Sequence, residues 1–482
     1  MTNPALNSGR TGHFKKHLIA CVLISAFVSS TANATNGYYT LGYSAKDKGT
    51  AGAGIARASD ALSMATNPAT MLQVGTRLDL GLNLFMPDRE YTVSGAPSLP
   101  DGFSPIIGNI PSCNAPGQSA CQIPFSIGEQ NIESGREYFF IPNIAYVKQL
   151  DETSAVGISL YGNGGMNTTY NGGTATIFNP QTNSVNSQPG TFGSGNTGVD
   201  LTQLFLNFSY AWKINDSLDL GVALIGAMQA FKAEGLAPFA NNSLRPDKLT
   251  NNGYDYSFGL GVKVGLVYHA SDNLSFGLSY QSEQKMSKFE EYSGLFAENG
   301  DFDMPASLKG GVAYKISKST TILLDYQAIY YEDVPAVSNS VDNLVNGQCN
   351  DALNNTLFTG TPSAASGNGC LGGSEGAGFG WKNMHVLKVG VEWNNNGDVY
   401  RLGISGTDQP IDSKEVNFNL IAPAVIEYHF AAGYTTFFSD REWTFFGMFM
   451  PSKSVTGTSL FDPAQTIEIK MRQIEIGLAI KF

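Results

Sequence analysis

The sequence is poor in charge and in histidine, and after residue 34 it has no long apolar run. Charged residues make up 15% of the 482 residues, and five residues are histidines. A transmembrane helix needs about 18 consecutive apolar residues, so we expect none in the mature chain. The net charge of −12 disfavours nucleic acid as a partner, because phosphate binding needs clustered Lys and Arg. These absences leave a soluble β-protein or a β-barrel.

Residues 1–34 have the order of a secretory signal peptide. A basic stretch at 13–17 precedes an apolar run at 18–28, and small residues follow up to Ala34. This order predicts cleavage before Thr35. The alternative, an N-terminal membrane anchor, is disfavoured because about eleven apolar residues cannot cross about 30 Å of hydrocarbon. The removed segment contains three basic residues and no acidic one, which takes the net charge from −12 to −15.

Cysteine is scarce, and the four cysteines after the signal form two local pairs. Cys113 lies near Cys121, and Cys349 lies near Cys370, both in stretches rich in Gly, Asn, Pro and Ser. In an oxidising compartment this favours two disulfides that each close a loop, although four cysteines allow three connectivities. Neither pair has the C-x2-C spacing of a zinc site, so we expect no metal and no cofactor.

From residue 76 onward the sequence alternates between apolar and polar residues. Leu78, Leu80, Leu82 and Leu84 alternate with polar residues or Gly, which is the period of a β-strand. Similar runs predict fourteen strands, at 76–93, 138–149, 154–170, 200–213, 217–233, 253–269, 273–289, 304–316, 319–333, 382–394, 398–408, 421–437, 441–453 and 465–482.

The connections between these strands alternate in length. Every second connection has only a few residues, and the longest of the others are 94–137, 171–199 and 334–380. Short turns at one end, long loops at the other and an even strand number are typical of an outer-membrane barrel. We therefore predict an all-β fold, a transmembrane antiparallel β-barrel of about 14 strands over 76–482. Its location would be the cell outer membrane of a Gram-negative bacterium.

The last strand has the two faces that a membrane barrel needs. Ile474, Ile476 and Leu478 share one face, which we expect to contact outer-membrane lipid, and Glu475 lies on the opposite, lumenal face. The chain ends in Phe482, and a C-terminal aromatic residue resembles the signal by which the outer-membrane assembly machinery recognises its substrates.

Residues 35–75 read neither as strand nor as ordinary loop. The segment is rich in Gly and Ala and ends near Asn67-Pro68-Ala69, so it can pack closely but cannot form a core of its own. We predict that it is a plug inside the barrel. Gly49, Gly52 and Gly54 would give it the freedom to move, and the Asn-Pro-Ala sequence would belong to the gate.

Three stretches give the chain a family resemblance: Gly49 to Ala69, the sequence Ile141-Pro142-Asn143-Ile144-Ala145-Tyr146, and Met304-Pro305-Ala306-Ser307. With fourteen strands around them, the chain resembles the FadL family of outer-membrane transporters. The resemblance implies a monomeric barrel that carries long-chain fatty acids or toluene-like hydrocarbons, with a lumenal plug and a kinked third strand that opens the wall sideways. Gly162, Asn163, Gly164 and Gly165 would form this kink, and Asn67-Pro68-Ala69 would contact it.

The residues that would bind the cargo are ambiguous. Basic residues predicted to face the lumen resemble carboxylate ligands of the fatty-acid members, whereas acidic residues on the same face favour simple charge neutralisation. Met228 and Phe231 in the fifth strand leave a neutral hydrocarbon cargo open. The basic candidates are Lys263, Lys309, Lys388 and Arg401, and the acidic residues are Asp325, Glu392, Glu427 and Glu475.

Two other classes of function remain as alternatives to passive uptake of hydrophobic molecules. A lipid-acting outer-membrane enzyme would need a nucleophile such as Ser374, which lies in a G-x-S-x-G sequence, and a histidine such as His429. No strand leads into that sequence, so we do not expect an enzyme. A surface adhesion or structural barrel is suggested only by the long loops.

Overall fold

Our computed structural model describes residues 36–98, 125–179, 184–350, 352 and 364–482. Fourteen antiparallel strands, numbered β1 to β14 along the chain, each pair with the next, and β1 pairs with β14 to close a barrel. They are β1 (Arg77–Ser94), β2 (Phe139–Gln149), β3 (Ser154–Asn167), β4 (Gly198–Asn215), β5 (Leu218–Glu234), β6 (Asp255–Ser271), β7 (Leu274–Gln281), β8 (Ser307–Lys315), β9 (Thr320–Ile329), β10 (Met384–Asn395), β11 (Asp398–Thr407), β12 (Tyr428–Phe438), β13 (Arg441–Thr458) and β14 (Thr466–Lys481).

All fourteen predicted strands are confirmed, and four predicted boundaries are wrong by four to eight residues. β9 ends at Ile329 instead of 333, and β13 continues to Thr458 instead of 453. β7 ends at Gln281 instead of 289, and Lys285–Met286 instead forms a short strand beside β6. β12 begins at Tyr428 instead of 421, because the apolar residues 421–426 are all buried and do not alternate. An unbroken apolar run predicts burial but not the element that achieves it.

The two faces of the wall are as predicted. In β14, Ile474, Ile476 and Leu478 are 40–46% exposed, whereas Glu475 is fully buried on the lumenal side. Phe208 and Tyr210 in β4 are likewise exposed, and their neighbour Ser209 is buried. An apolar outer surface opposite a lumen with polar groups is what a membrane barrel requires.

Short turns lie at one end of the barrel and long connections at the other. The turns between β4 and β5, β6 and β7, β10 and β11, and β12 and β13 have two residues each. The long connections carry the disulfide Cys349–Cys370, which confirms that predicted pair. They also carry short strands at Phe125–Ile127, Gln130–Glu133, Thr174–Asn179 and Ser184–Pro189, and short helices at Ala237–Asn242, Pro246–Lys248, Glu290–Tyr292, Ala297–Gly300, Tyr331–Asp333, Pro335–Ser338, Val341–Leu344, Ser413–Glu415 and Val416–Asn419.

Several predictions fall on residues that the structure does not describe. The signal peptide at 1–34, Thr35, and the cysteine pair Cys113 and Cys121 all lie outside the described residues. Among the described residues, no helix is long and apolar enough to cross a membrane.

Residues 36–75, here called the N-terminal segment, pack against the inward faces of the strands. The segment contains a helix at Ala45–Gly49 and two 3-10 helices at Ala61–Ala65 and Pro68–Gln73. Asp60 caps the first 3-10 helix and Asn67 caps the second, through bonds to backbone N–H groups. The helix at Ala45–Gly49 contacts β11, β12, β13 and β14, and the helix at Pro68–Gln73 contacts β3, β4, β5 and β6.

Candidate functional site

The wall of the barrel is interrupted between β2 and β3. These strands pair only from Gln149 opposite Ala155 to Ile144 opposite Leu160. Beyond that point β2 continues to Phe139 and β3 to Asn167 without pairing to each other. The interruption begins where β3 has a register shift against β4, between Gly162 and Gly164. The predicted irregularity at Gly162, Asn163, Gly164 and Gly165 is therefore present as a bulge next to a gap in the hydrogen-bonded wall.

The N-terminal segment pairs with the edge of β3 at this gap. Thr40 N donates to Asn163 O at 2.9 Å, and Gly165 N donates to Tyr38 O at 3.1 Å. Tyr39 lies opposite Gly164 in the resulting antiparallel bridge. The Tyr43 hydroxyl also donates to Asn163 Oδ1, at 3.2 Å. Residues 38–40 therefore take the place beside β3 that β2 leaves open.

A cluster of buried aromatic rings extends from these residues into the lumen. The Tyr38 ring centre lies 5.0 Å from that of Tyr331, 5.7 Å from that of Trp381 and 6.0 Å from that of Phe302. The Tyr331 hydroxyl accepts from Tyr38 N at 3.1 Å and donates to Asn36 O at 2.6 Å. Burial, and then the neighbouring Tyr331 hydroxyl, raise the pKa of Tyr38 well above its ordinary value, so this phenol stays neutral.

The aromatic cluster leads to a small apolar cavity on the loop side of the lumen. Phe302 lies 4.7 Å from Phe296, and Phe296 lies 4.7 Å from Phe231, measured between ring centres. Phe231 and Phe296 line a cavity of about 30 Å³, together with residues that are nearly all apolar. The other lining residues are Val199, Leu236, Phe239, Leu249, Leu295, Ala336, Leu371, Ala377, Gly378, Phe379, Phe418 and Ile421.

Charged side chains on the inward faces of β9, β13 and β14 hold the N-terminal segment. Lys48 Nζ lies 2.8 Å from Glu475 Oε1 of β14, and the two side chains are 1% and 0% exposed. Lys46 Nζ lies 2.6 Å from Glu442 Oε1 of β13. Asp325 of β9 accepts from the backbone N–H groups of Gly54 at 2.7 Å and Ile55 at 2.9 Å. Three elements of the wall thus bind the segment through charge-assisted bonds.

The predicted basic ligand residues all face inward, and the segment engages two of them. Lys263 donates to Ala65 O, and Lys388 donates to Leu41 O at 3.2 Å. These are backbone carbonyls of the N-terminal segment.

The other two basic candidates, Arg401 and Lys309, also have partners inside the barrel. Arg401 donates to Glu392 Oε2 at 2.8 Å and to Thr435 Oγ1 at 2.6 Å. Lys309 Nζ lies 5.3 Å from the ring centre of Tyr43. Three of the four cations therefore contact the N-terminal segment, Arg401 bonds to the wall, and none of the four lines the apolar cavity.

The two predicted fifth-strand residues lie on opposite faces of the wall. Phe231 is buried and lines the cavity. Met228 lies in the outward row of β5 with Val222 and Leu224, which are 40% and 50% exposed. The proposal that both contact cargo overlooked the two-residue period, since an even and an odd position cannot share a face.

The predicted contact of Asn67-Pro68-Ala69 is wrong. Asn67 Nδ2 donates to Ile55 O at 2.9 Å and to Leu266 O of β6 at 3.0 Å. A Cβ atom on Gly265 would collide with Asn67 Oδ1, and one on Gly221 would collide with Ala69 N. These glycines of β5 and β6 let the motif approach the wall closely. Gly221 pairs with Ala211 of β4, which lies opposite Ala155 of β3, seven residues before the bulge at Gly162. Residues 38–43 make the contact with the bulge instead.

The three predicted plug glycines lie in close contacts or unusual conformations. A Cβ atom on Gly49 would lie 3.0 Å from Gly433 Cα of β12. Gly52 has a φ of +74° and Gly54 a φ of +145°, and a Cβ on Gly52 would collide with Leu41 O. These positions favour glycine for packing and conformation, whether or not the segment moves.

The side chains considered for enzymatic chemistry are placed as follows. Ser374 is exposed in the loop after the disulfide. His429 Nδ1 is hydrogen-bonded at 2.9 Å to the hydroxyl of Ser405, its partner across β11 and β12. Among the described residues, no group of three or more His, Cys, Asp and Glu side chains is arranged to hold a metal ion.

Sequence reasoning missed the aromatic cluster and the ion pair between Lys48 and Glu475. Tyr38, Tyr331 and Trp381 are separated by up to 343 positions and lie outside the regular strands, so no periodicity connects them. Glu475 was recognisable as inward by its position in β14, but its partner was not, because helical residues of an irregular segment have no fixed register with the wall.

Comparisons with known proteins agree with this architecture. A family model described as "Outer membrane protein transport protein (OMPP1/FadL/TodX)" matches residues 25–329. A long-chain fatty acid transport protein of Salmonella typhi is 26% identical over 172 residues, and this match spans 32% of the chain and about a third (35%) of that relative.

Solved structures of low sequence identity share the fold. The toluene transporter TodX of P. putida has a TM-score of 0.60 at 16% identity, with 92% of this chain and 98% of that chain covered. A FadL homologue of Pseudomonas aeruginosa has a TM-score of 0.56 at 13% identity, with 94% and 99% covered. The chain is a Gram-negative outer-membrane β-barrel, and it belongs to the OMPP1/FadL/TodX family of outer-membrane transport proteins.

Proposed function

We propose that the protein is a monomeric channel for passive uptake of hydrophobic molecules, either long-chain fatty acids or hydrocarbons. The cargo is captured in the apolar lumen, the N-terminal segment moves as a plug, and the cargo leaves sideways between β2 and β3. The observation that carries this proposal is the pairing of residues 38–40 with the edge of β3 at the interruption of the wall. The names of the relatives, a long-chain fatty acid transport protein and a toluene transporter, support an apolar cargo.

Capture is assigned to the apolar cavity and the aromatic cluster. A hydrocarbon chain gains about 0.8 kcal/mol for each CH2 group that it buries, so transfer from the cell surface into this lumen needs no energy source. The cavity of about 30 Å³ is smaller than such a cargo. Binding therefore has to displace side chains, and Phe231 and Phe296 are the rings next to it.

Release is assigned to a shift of residues 38–40. Tyr38 belongs both to the aromatic cluster and to the bridge that covers the gap. A ligand that displaces the ring of Tyr38 also weakens two backbone hydrogen bonds to β3, each with a net value of about 1 kcal/mol. The gap then opens towards the outer surface of the wall, where Phe140 of β2 is 54% exposed. An apolar cargo leaving there enters lipid and avoids water.

The remaining parts of the chain have roles that follow from this scheme. The segment 35–75 is the plug, and Lys48, Glu475 and Asp325 hold it in the closed position until it moves together with residues 38–40. Residues 1–34 direct export, and Phe482 is the contact with the assembly machinery.

Uptake by intact cells tests the proposal. Cells that lack their own transporters of this class would be compared with and without the protein, using radiolabelled oleate and radiolabelled toluene. We expect faster uptake of at least one of them in the expressing cells. A variant without residues 36–43 serves as a probe of gating, and equal uptake of both compounds in the presence and absence of the intact protein would refute the proposal.

A further inference from the structure

The outer surface of β13, β14 and β1 changes from apolar to charged at one level of the barrel. Ile474 of β14 lies between Met86 of β1 and Phe449 of β13, and all three side chains belong to the outward rows. Two residues nearer the long loops, the outward positions are Asp88 and Arg472, which lie opposite each other. This change marks the boundary of the hydrocarbon layer on the loop side, which is the extracellular side of such barrels.

Two further charged residues continue this face towards the loops. Glu90 of β1 lies opposite Lys470 of β14, in the same outward rows and four residues beyond the apolar level. At about 3.3 Å per residue, the first charged level lies about 7 Å and the second about 13 Å along the strands from the apolar level. Because the strands of such barrels are tilted by about 40°, both levels lie close to the head groups of the outer leaflet.

A bulge in β13 makes room beside these charged residues. The register of β13 against β14 shifts between Met450 and Lys453, where β13 contains one residue more than β14. Pro451, which has no N–H for a ladder hydrogen bond, and the exposed Ser452 form this bulge. The cavity beside it, here called the polar cavity, has a volume of about 310 Å³, and its polar lining residues are Asp88, Glu90, Glu133, Ser452, Lys470 and Arg472.

Each cation of the polar cavity is paired with an exposed carboxylate. Arg472 Nη2 lies 2.8 Å from Asp88 Oδ2, and Lys470 Nζ lies 2.5 Å from Glu90 Oε1. The side chains of Arg472 and Lys470 are 55% and 47% exposed. Ion pairs between such exposed side chains contribute little to stability, so a phosphate group can replace the carboxylates at both cations.

Glu133 adds a third carboxylate to this face. It lies opposite Glu90, which already pairs with Lys470, and among the described residues no cationic nitrogen lies within 4.0 Å of Glu133. Like charges directly opposite each other are unfavourable in a sheet. The carboxylates therefore compete with any anion for the two cations, and neutralising one of them should strengthen the binding of a phosphate.

The charge of the polar cavity selects a lipid over a soluble anion. Its two cations and three carboxylates give a net charge of −1, so a free phosphate ion gains little there. A lipid phosphate is present at a high local concentration, because the acyl chains of the same molecule lie against the apolar level of the same three strands. The partner that fits is an anionic lipid of the outer leaflet.

We propose that Ser452, Lys470 and Arg472 bind a phosphate group of an outer-leaflet glycolipid whose acyl chains cover Met86 and Ile474. The ammonium and guanidinium groups donate charge-assisted bonds to the phosphate oxygens, and the Ser452 hydroxyl donates a further bond. The contact is independent of the proposed uptake function, because it involves only the outer face of the wall.

Native mass spectrometry of the purified full-length barrel in detergent tests this contact. The probes are bisphosphorylated lipid A and the same lipid after removal of both phosphates, each added over a range of concentrations. The variants are Lys470→Met with Arg472→Met, which removes both cations, and Asp88→Asn, which frees Arg472 from its carboxylate partner. The control is Lys414→Met, which removes a 57% exposed cation that pairs with Asp342 in the loops.

We expect the double variant to bind bisphosphorylated lipid A about 10- to 30-fold more weakly and the phosphate-free lipid within about twofold of the unchanged protein. Asp88→Asn should bind bisphosphorylated lipid A about two- to fivefold more tightly, because the phosphate no longer has to displace a carboxylate. Lys414→Met should bind both lipids as the unchanged protein does. Heat-dependent gel mobility of each barrel reports that it is folded.

Several outcomes would overturn the proposal. Unchanged affinity of the folded double variant for bisphosphorylated lipid A, or an equal loss for both lipids, would refute the phosphate contact. Weaker binding by Asp88→Asn would refute the competition between carboxylate and phosphate on which the contact depends. If inorganic phosphate at the same concentration displaces the lipid from the unchanged protein, the site binds phosphate ions, and the assignment to a lipid fails.

Discussion

Removing the charge of Lys48 is the perturbation that tests most sharply how the N-terminal segment is held. Lys48 Nζ lies 2.8 Å from Glu475 Oε1 and donates to Thr40 Oγ1 at 3.0 Å. Both members of the ion pair are almost fully buried, so Lys48→Met leaves a buried carboxylate without its cation. Breaking a buried pair in this way costs about 3–5 kcal/mol.

This loss of stability should appear as a larger equilibrium population of the state in which the segment is open. A factor of ten in an equilibrium constant corresponds to about 1.4 kcal/mol, so the equilibrium constant for opening of the segment should increase by roughly 10² to 10³·⁵. The backbone N–H groups of Ala51 and Gly52 report it, because they are hydrogen-bonded within the segment, to Lys48 O at 3.0 Å and Asp47 O at 2.7 Å. Native-state hydrogen exchange of these two groups measures the change.

Two matched variants make the test specific. Replacing both partners, Lys48→Met with Glu475→Met, removes the stranded charge and should return exchange to within about tenfold of the unchanged protein. Lys470→Met breaks an exposed pair with Glu90 and should change exchange of the segment by less than about twofold. Acceleration below about fivefold in Lys48→Met alone would refute the idea that this ion pair holds the segment.

The other predictions concern movement of the segment and the bulge. A Cβ on Gly390 of β10 would lie 3.3 Å from Ala53 Cβ, so the double variant Ala53→Cys with Gly390→Cys should form a disulfide. We expect uptake of labelled oleate to fall at least fivefold when this disulfide is oxidised and to recover when it is reduced. Full uptake by the oxidised variant would exclude movement of this part of the segment. Gly164→Val places a β-branched side chain opposite Tyr39 and should lower uptake several-fold, whereas the control Gly447→Val, which has open space around it, should not. Uptake by Gly164→Val at the rate of the control would contradict a role for the bulge.

The strands were predictable because their signal is local. In β14 each inward residue is followed by an outward one, and a wall with lipid on one side enforces that alternation over the whole strand. The same rule makes Arg89 recognisable as inward, since it shares its odd position with Phe85 and Tyr91 in β1. Glycines at 162, 164 and 165 also signalled locally that β3 would not pair regularly.

The contacts of the N-terminal segment were not predictable in this way. Asn67-Pro68-Ala69 was expected at the bulge of β3, but it lies against Gly221 and Gly265 because those glycines leave room for its backbone. Lys263 and Lys388 read as ligand residues, although each donates to a backbone carbonyl of the segment, and Lys388 also donates to Gln327 Oε1 of β9 at 2.9 Å. Such pairings join positions about 150 or more residues apart, and the sequence carries no register that links an irregular segment to a strand.

Cross-linking the gap between β2 and β3 tests lateral exit most directly. A Cβ on Gly162 would lie 3.2 Å from Ile141 Cγ2, so Ile141→Cys with Gly162→Cys can join the two strands where they do not pair. The control is Ala145→Cys with Ser159→Cys, an inward pair that lies directly opposite in the paired part of the same two strands. The account predicts that oxidation stops uptake of labelled oleate and toluene only in the first variant and that reduction restores it. Unimpaired uptake through the barrel with the gap closed would contradict it.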